Sequence, residues 1–322
     1  MILVYLLLII GFSILLIKAT EIVIDSLQQL VEITKIGKFA IASLLLAFAT
    51  SLPELVVSVT AALAGNPSLA LGTILGSNIV DISLVIGGAA VIGGSFSVAG
   101  EWLKIDIFSV FLAGVMPLIL LMDGRLSRID GLILLFIYGL YDYGLLRRRT
   151  GRRPGGKGRL LQRMMLPGAR KKMNRSLIWL FLGAALVIFS ADMIVKTGVS
   201  LASILKVPVF LIGLFLVAAG TSLPELSLEI EAVKKKQIGM ALGDLFGSVV
   251  VNATLILGIV SLIAPIKLEQ GLNAYLLAAA SFGVMFLLFW HFVRSKKKLE
   301  RWEGIALILV YLVFAIMEWL KR

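Results

Sequence analysis

Apolar runs of about twenty residues or more, parted by short polar breaks, fill almost the whole chain. Each is long enough to be a membrane-spanning helix, which needs about 20 apolar residues. Ten such helices are predicted, at 2–24, 38–64, 69–94, 102–122, 129–146, 176–203, 208–233, 239–264, 271–293 and 302–320. The first run starts at Ile2 with no charged segment before it and no small-residue cleavage site, so it is expected to be retained. Of 322 residues, 59% are hydrophobic and 16% charged, with a mean hydropathy of +1.02. Soluble domains are about 45–50% apolar and about 25% charged. An all-α integral membrane protein is expected.

Charge changes the picture only by giving it a direction. The net charge is +12, and no acidic residue lies between Asp142 and Asp192, where arginines and lysines from Arg147 to Arg175 crowd one segment. A basic run can mark nucleic-acid binding. Between spans it marks a cytoplasmic loop instead, so no nucleic-acid partner is expected. With this loop inside, alternation puts Lys234–Lys236 and Lys296–Lys298 inside as well, and both termini outside. Residues 147–175 then link two halves, 1–146 and 176–322, and rest on anionic lipid head groups. The expected location is a cell membrane, crossed many times. No oligomer is inferred.

The halves repeat. Ala47-Phe48-Ala49-Thr50-Ser51-Leu52-Pro53-Glu54 matches Ala218-Ala219-Gly220-Thr221-Ser222-Leu223-Pro224-Glu225 at an offset of 171 (218 − 47). The same offset lays residues 69–87 over 240–258, keeping Gly72/Gly243, Gly76/Gly247, Ser77/Ser248 and Gly87/Gly258. Five spans separate equivalent helices. Five is odd, so the copies face opposite ways, as in transporters with a mid-membrane site. The fold expected is two inverted five-helix repeats.

Within the repeated phrase, Pro53 and Pro224 each remove a helix donor. Carbonyls from about Ala47 to Thr50 and Ala218 to Thr221 are expected to be released for a dehydrated cation. Thr50 and Ser51 share a helix face with Glu54, as Thr221 and Ser222 do with Glu225. The following helices add Ser77 with Asp81, and Ser248 with Asn252. Carboxylates inside a membrane segment are costly and mark function. This donor set is all oxygen and suits hard cations such as Ca²⁺ and Na⁺, not metals that want histidine or cysteine. There is no cysteine, and the single histidine, His291, is given no role. Glu229 and Asp244 could form a cation-attracting inner vestibule, but the simpler expectation is that Glu229 and Glu231 neutralise Lys234–Lys236. Lys18 with Glu21, and Asp192 with Lys196, read as helix-face pairs.

The two phrases resemble the alpha repeats of the sodium/calcium exchanger family, within the cation/Ca²⁺ exchanger superfamily, prokaryotic type. That resemblance implies a ten-helix antiporter that is not an enzyme and needs no cofactor, with Ca²⁺ and Na⁺ as its substrates. It implies Ca²⁺ held by Glu54 and Glu225, with backbone oxygens of Thr50 and Thr221. It places Na⁺ at Ser51, Ser77 and the Ala47 carbonyl, and at Ser222, Ser248 and the Ala218 carbonyl. It also implies that the first and sixth helices slide past the rest. Prokaryotic members often carry an amide at the position of Asp81 and an acid at that of Asn252, and here the two are exchanged. Ala49 stands where the second copy has Gly220. A H⁺/Ca²⁺ exchanger using the same acids is the nearest alternative. A remoter one is an intramembrane aspartyl protease using Asp142 and Asp244, which lacks the glycine needed at Leu242.

Overall fold

The computed structural model describes residues 1–34, 50–98, 106–149, 167–268 and 271–321. Its helices are α1 (Ile2–Thr34), α2 (Leu52–Leu63), α3 (Pro67–Gly93), α4 (Asp106–Leu120), α5 (Arg128–Arg149), α6 (Pro167–Leu205), α7 (Val209–Thr221), α8 (Leu223–Lys234), α9 (Ile238–Ile263), α10 (Asn273–Lys296) and α11 (Arg301–Leu320). Four two-residue strands accompany them: β1 (Phe96–Ser97), β2 (Arg125–Leu126), β3 (Ile266–Lys267) and β4 (Lys298–Leu299).

Among the described residues six helices are long and apolar enough to cross a membrane: α1, α3, α6, α9, α10 and α11. The pair α7 and α8, bent by 42° at its junction, makes a seventh. The expected spans at 38–64 and 102–122 fall partly outside the described residues, which hold the shorter apolar helices α2 and Ile107–Asp123. Over the expected span 129–146 lies α5, whose end carries Arg147, Arg148 and Arg149. Most of the basic linker lies outside the described residues. Taken together these helices make a multi-pass membrane protein.

Two unbroken helices, α1 and α6, lie antiparallel along one side. Phe12 meets Phe189 edge-on at 6.0 Å. Gly183 seats against the Ala19 carbonyl and Val23, and the Ser176 hydroxyl donates to Gln29 at 3.0 Å. Apolar side chains such as Leu3, Leu7, Ile14, Phe181 and Ile188 point outward, as they do where the solvent is lipid.

The interior is built from cross-half contacts. In α3, a Cβ added at Gly76 would stand 2.2 Å from the Leu214 carbonyl, and one at Gly72 2.0 Å from that of Phe210. From the other side Gly213 of α7 lies against the Leu69 carbonyl. Backbones can approach this closely only where side chains are missing, the usual way membrane helices gain contact when burial of apolar surface no longer drives them together. Gly87 faces Gly304 of α11, and Gly258 faces Gly131 of α5. The register has grown by two residues here, since 304 − 131 = 173.

The strands repeat this exchange. β1 pairs with β4, Phe96 opposite Leu299, and β2 pairs with β3, Leu126 opposite Ile266. Each small sheet joins one half to the other. Helix starts after the strands match too: the Ser127 N–H donates to Asp130 at 2.7 Å, and the Glu300 N–H to Glu303 at 2.8 Å, again 173 apart (300 − 127).

Candidate functional site

Both copies of the repeated phrase break their helix in the same way. Ser51 has φ −81°, ψ 7°, and Ser222 has φ −84°, ψ 7°. Neither angle pair is helical, so α2 and α8 each begin afresh at these serines. Pro53 and Pro224 then sit in the first turn of the new helices, where a missing N–H loses no helical bond. The prolines start helices here and do not interrupt running ones. Glu54 and Glu225 fall at the third position of these helices, where the partial positive charge of the exposed N–H groups favours a carboxylate.

One expectation changes with this geometry. The Ala218 carbonyl is not simply released: it accepts the Ser222 N–H at 3.0 Å and faces the Thr221 hydroxyl at 3.3 Å. An ion there must compete with that hydroxyl. Ala47, its counterpart, lies outside the described residues.

The acids come together around the two breaks. Glu54 is 1% exposed and Glu225 3%. Thr221 and Ser77 face Glu54, and Ser222 faces Asp81. Among charged groups Glu54 acts on Glu225 most strongly, followed by Asp81 and Asp244. Across the halves the Ser77 and Thr221 hydroxyls lie 3.4 Å apart, held there by the close contact of α3 with α7. The side chains of Ser51, Ser222, Ser248 and Asn252 are all buried. Both Glu54 oxygens, Glu225 Oε2, Asp81 Oδ1, the hydroxyls of those three serines and both amide atoms of Asn252 lack a hydrogen-bond partner. Among the described residues no buried side chain is basic. Nor do three acids, histidines or cysteines converge on a single point there, so any ion would draw on hydroxyls, carbonyls and water beside the carboxylates.

Helices α3 and α9 add a feature that the motif reading missed. Each turns into a π-helix at the site, over Asp81–Val85 in α3 and Val251–Ile256 in α9. Wider turns of this kind often mark functional positions. A signal for them exists in the sequence. Ser83 donates back to the Ile79 carbonyl and Thr254 to that of Val250, at 2.6 Å for the latter. These hydroxyls are 171 apart (254 − 83), and bonds of this kind bend helices.

Glu229 is buried where a solvated pairing had been the simpler expectation, and Asp244 is buried as well. Glu231 does pair with Lys235, at 2.8 Å. Glu229, however, is 0% exposed with both oxygens unpartnered, and Asp244 is 2% exposed. Asp244 accepts the Thr50 hydroxyl at 2.9 Å. Thr50 in turn lines a cavity of about 530 Å³ between α1 and α8, whose polar walls include Glu21, Gln28, Glu231 and Gln237. Lys18 with Glu21 (2.8 Å) and Lys196 with Asp192 (2.7 Å) are the exposed helix-face pairs expected.

Known proteins resemble this chain in sequence and in fold. Residues 4–146 and 175–320 match the family described as sodium/calcium exchanger protein. The inner membrane protein YrbG of Escherichia coli is 33% identical over 281 residues, covering 84% of each chain. The sodium/calcium exchanger MaX1 of Methanosarcina acetivorans is 24% identical, covering 97% of each. A solved structure of the sodium-calcium exchanger NCX_Mj superposes with a TM-score of 0.64 and 26% identity, covering 97% of this chain and 98% of that one. A membrane transporter is thereby indicated, not an enzyme, and the protease reading falls away. The chain belongs to the sodium/calcium exchanger family.

Proposed function

We propose that this protein is a secondary antiporter exchanging Na⁺ for Ca²⁺ by alternating access. It would be built of ten helices in two inverted repeats, with both termini outside and the basic linker on cytoplasmic anionic head groups. Ca²⁺ binds between Glu54 and Glu225, with oxygens of Thr50 and Thr221 and with Asp81 alongside. Na⁺ occupies flanking positions at Ser51, Ser77 and the Ala47 carbonyl, and at Ser222, Ser248 and the Ala218 carbonyl, with Asn252 beside the second set.

One observation carries this reading. Two acids from equivalent helix starts, Glu54 and Glu225, are both buried, with the Glu54 charge acting on Glu225, with both Glu54 oxygens and Glu225 Oε2 unpartnered, and with no buried basic side chain among the described residues. Bare carboxylates in low dielectric are expensive, and a cation removes that cost. Unpaired hydroxyls beside them fit Na⁺, which needs an oxygen cage, better than H⁺, which needs only a base. Alternating access requires one part to move, and the antiparallel pair α1 and α6, of which α1 lines the cavity, is the moving part.

The test is ⁴⁵Ca²⁺ uptake into proteoliposomes under imposed Na⁺, K⁺ or H⁺ gradients. Uptake driven by an outward Na⁺ gradient, and lost in Glu54→Gln and Glu225→Gln, is the expected result. Uptake driven by H⁺ alone would transfer the same acids to the alternative exchanger.

A further inference from the structure

Glu229 and Asp244 have no part in the exchange site described above, yet they are built into the same interior. Glu229 lies one turn beyond Glu225 on α8, fully buried, with both carboxylate oxygens unpartnered. Among charged groups Asp244 of α9 acts on it most strongly, and Asp81 next. Asp244 has one oxygen held by the Thr50 hydroxyl and the other, Oδ2, without a partner. The helices that carry them, α8 and α9, pack against each other, and both side chains are buried there. Thr50 reaches from Asp244 to the cavity between α1 and α8.

We propose that Glu229 and Asp244, completed by the Thr50 hydroxyl and by water from the cavity, form a second binding position for a hard divalent cation. Two carboxylates and a hydroxyl are oxygen ligands of the kind Ca²⁺ takes, in a shell that water can complete. The charge chooses the valence: two buried carboxylates, with no buried basic side chain among the described residues, are neutralised by one divalent ion. Thr50 touches Asp244 and also lines the cavity, so this position would stage an ion on its way between the central site and that side. The proposal rests on the exchange reading only for this staging role. Binding itself can be tested separately.

The experiment is equilibrium ⁴⁵Ca²⁺ binding to the purified full chain in Na⁺-free detergent solution. The unchanged protein should bind in two classes of site. Glu229→Gln and Asp244→Asn should each lose one class and keep the other with its affinity within about threefold. Glu54→Gln/Glu225→Gln should lose the complementary class, and adding Glu229→Gln to that pair should abolish binding. Glu229→Asp, which keeps the charge on a shorter arm, should weaken the second class without removing it. The proposal is overturned if Glu229→Gln and Asp244→Asn bind as much Ca²⁺ as the unchanged chain. If only the Glu54→Gln/Glu225→Gln protein is unaltered, the central site fails while this one stands. A loss of all binding in Glu229→Gln, with the Ca²⁺-free melting temperature unchanged, would merge the two positions into one and also defeat the proposal.

Discussion

Helices α1 and α6 stand in contrast to α3 and α9. The outer two are uninterrupted, and their most apolar stretches are only 22% and 33% buried. The inner two are 94% and 72% buried and both pass into π-helix beside the acids. In the outer pair the apolar side chains are satisfied by lipid, so position along the neighbour is only weakly specified. In the inner pair the α3 backbone locks against α7 at Gly72 and Gly76, and polar atoms must be placed to within a bond length. On the proposed exchange reading, the first region slides and the second holds. Helix length fits this division: at about 1.5 Å per residue, the 39 residues of α6 exceed a hydrocarbon core of about 30 Å, so its basic first turns stand clear of the lipid tails.

The largest effect should come from breaking the lock. Gly76→Val places side-chain atoms where the Leu214 carbonyl and the Ala218 side chain already sit, and overpacking costs about 1–3 kcal/mol or more. Loss of monodisperse protein on size exclusion is expected. Gly139→Val, on an open face of α5 with nothing within 4 Å, should elute unchanged. A folded, active Gly76→Val protein would dissolve the contrast.

Next in size, Glu54→Gln or Glu225→Gln should leave the fold intact and lower Ca²⁺ uptake by at least ~100-fold, since even an outer-shell partner of a metal is worth about 10–100-fold. Melting temperature and transport measured together separate holding an ion from holding the fold.

Gly220→Ala sharpens the contrast at the seam between the two regions. Its Cβ would stand 2.6 Å from the Ser13 hydroxyl of α1. Uptake rate should fall about tenfold, a barrier increase of ~1.4 kcal/mol, with Ca²⁺ affinity kept. Ser13→Gly in the same protein should restore the rate. Unchanged rates would mean that α1 does not pass this point.

The smallest effect belongs to the surface. Lys298, Lys296 and the Trp302 indole surround Glu300 and lower its pKa from 4.5 to about 2. A carboxylate whose folded pKa is depressed stabilises above its unfolded pKa and loses that contribution as pH falls through the folded one. The melting-temperature gap between the unchanged chain and Glu300→Gln should therefore shrink from pH 4.5 to pH 2. A gap constant over that window would show that the pairing does not contribute.

Much of the site was legible because its chemistry is written locally and twice. Glu54, Glu225, Ser77 and Asp81 announce themselves as polar residues in apolar runs at one offset, and each is buried where the breaks meet. The burial of Glu229 and Asp244 was harder to see, because an acid five residues before Lys234 reads equally as a solvated neighbour. Only the packing of α8 on α9 distinguishes Glu229, which is enclosed, from Glu231, which is not. Ends of helices were also hidden. Hydropathy reports how much of a helix suits lipid, whereas α1 runs on to Thr34 beyond its predicted end at 24, with Gln29 held by Ser176 of α6.

By itself the amino-acid order determined the solvent, the duplication and the oxygen-rich character of the site, since these follow from residue type and spacing along one chain. Tertiary structure alone decided which oxygens lack partners, where the prolines act and which acids are enclosed. Those properties depend on what the other half of the molecule brings alongside, and backbone contact through Gly72, Gly76 and Gly213 is what sets that distance.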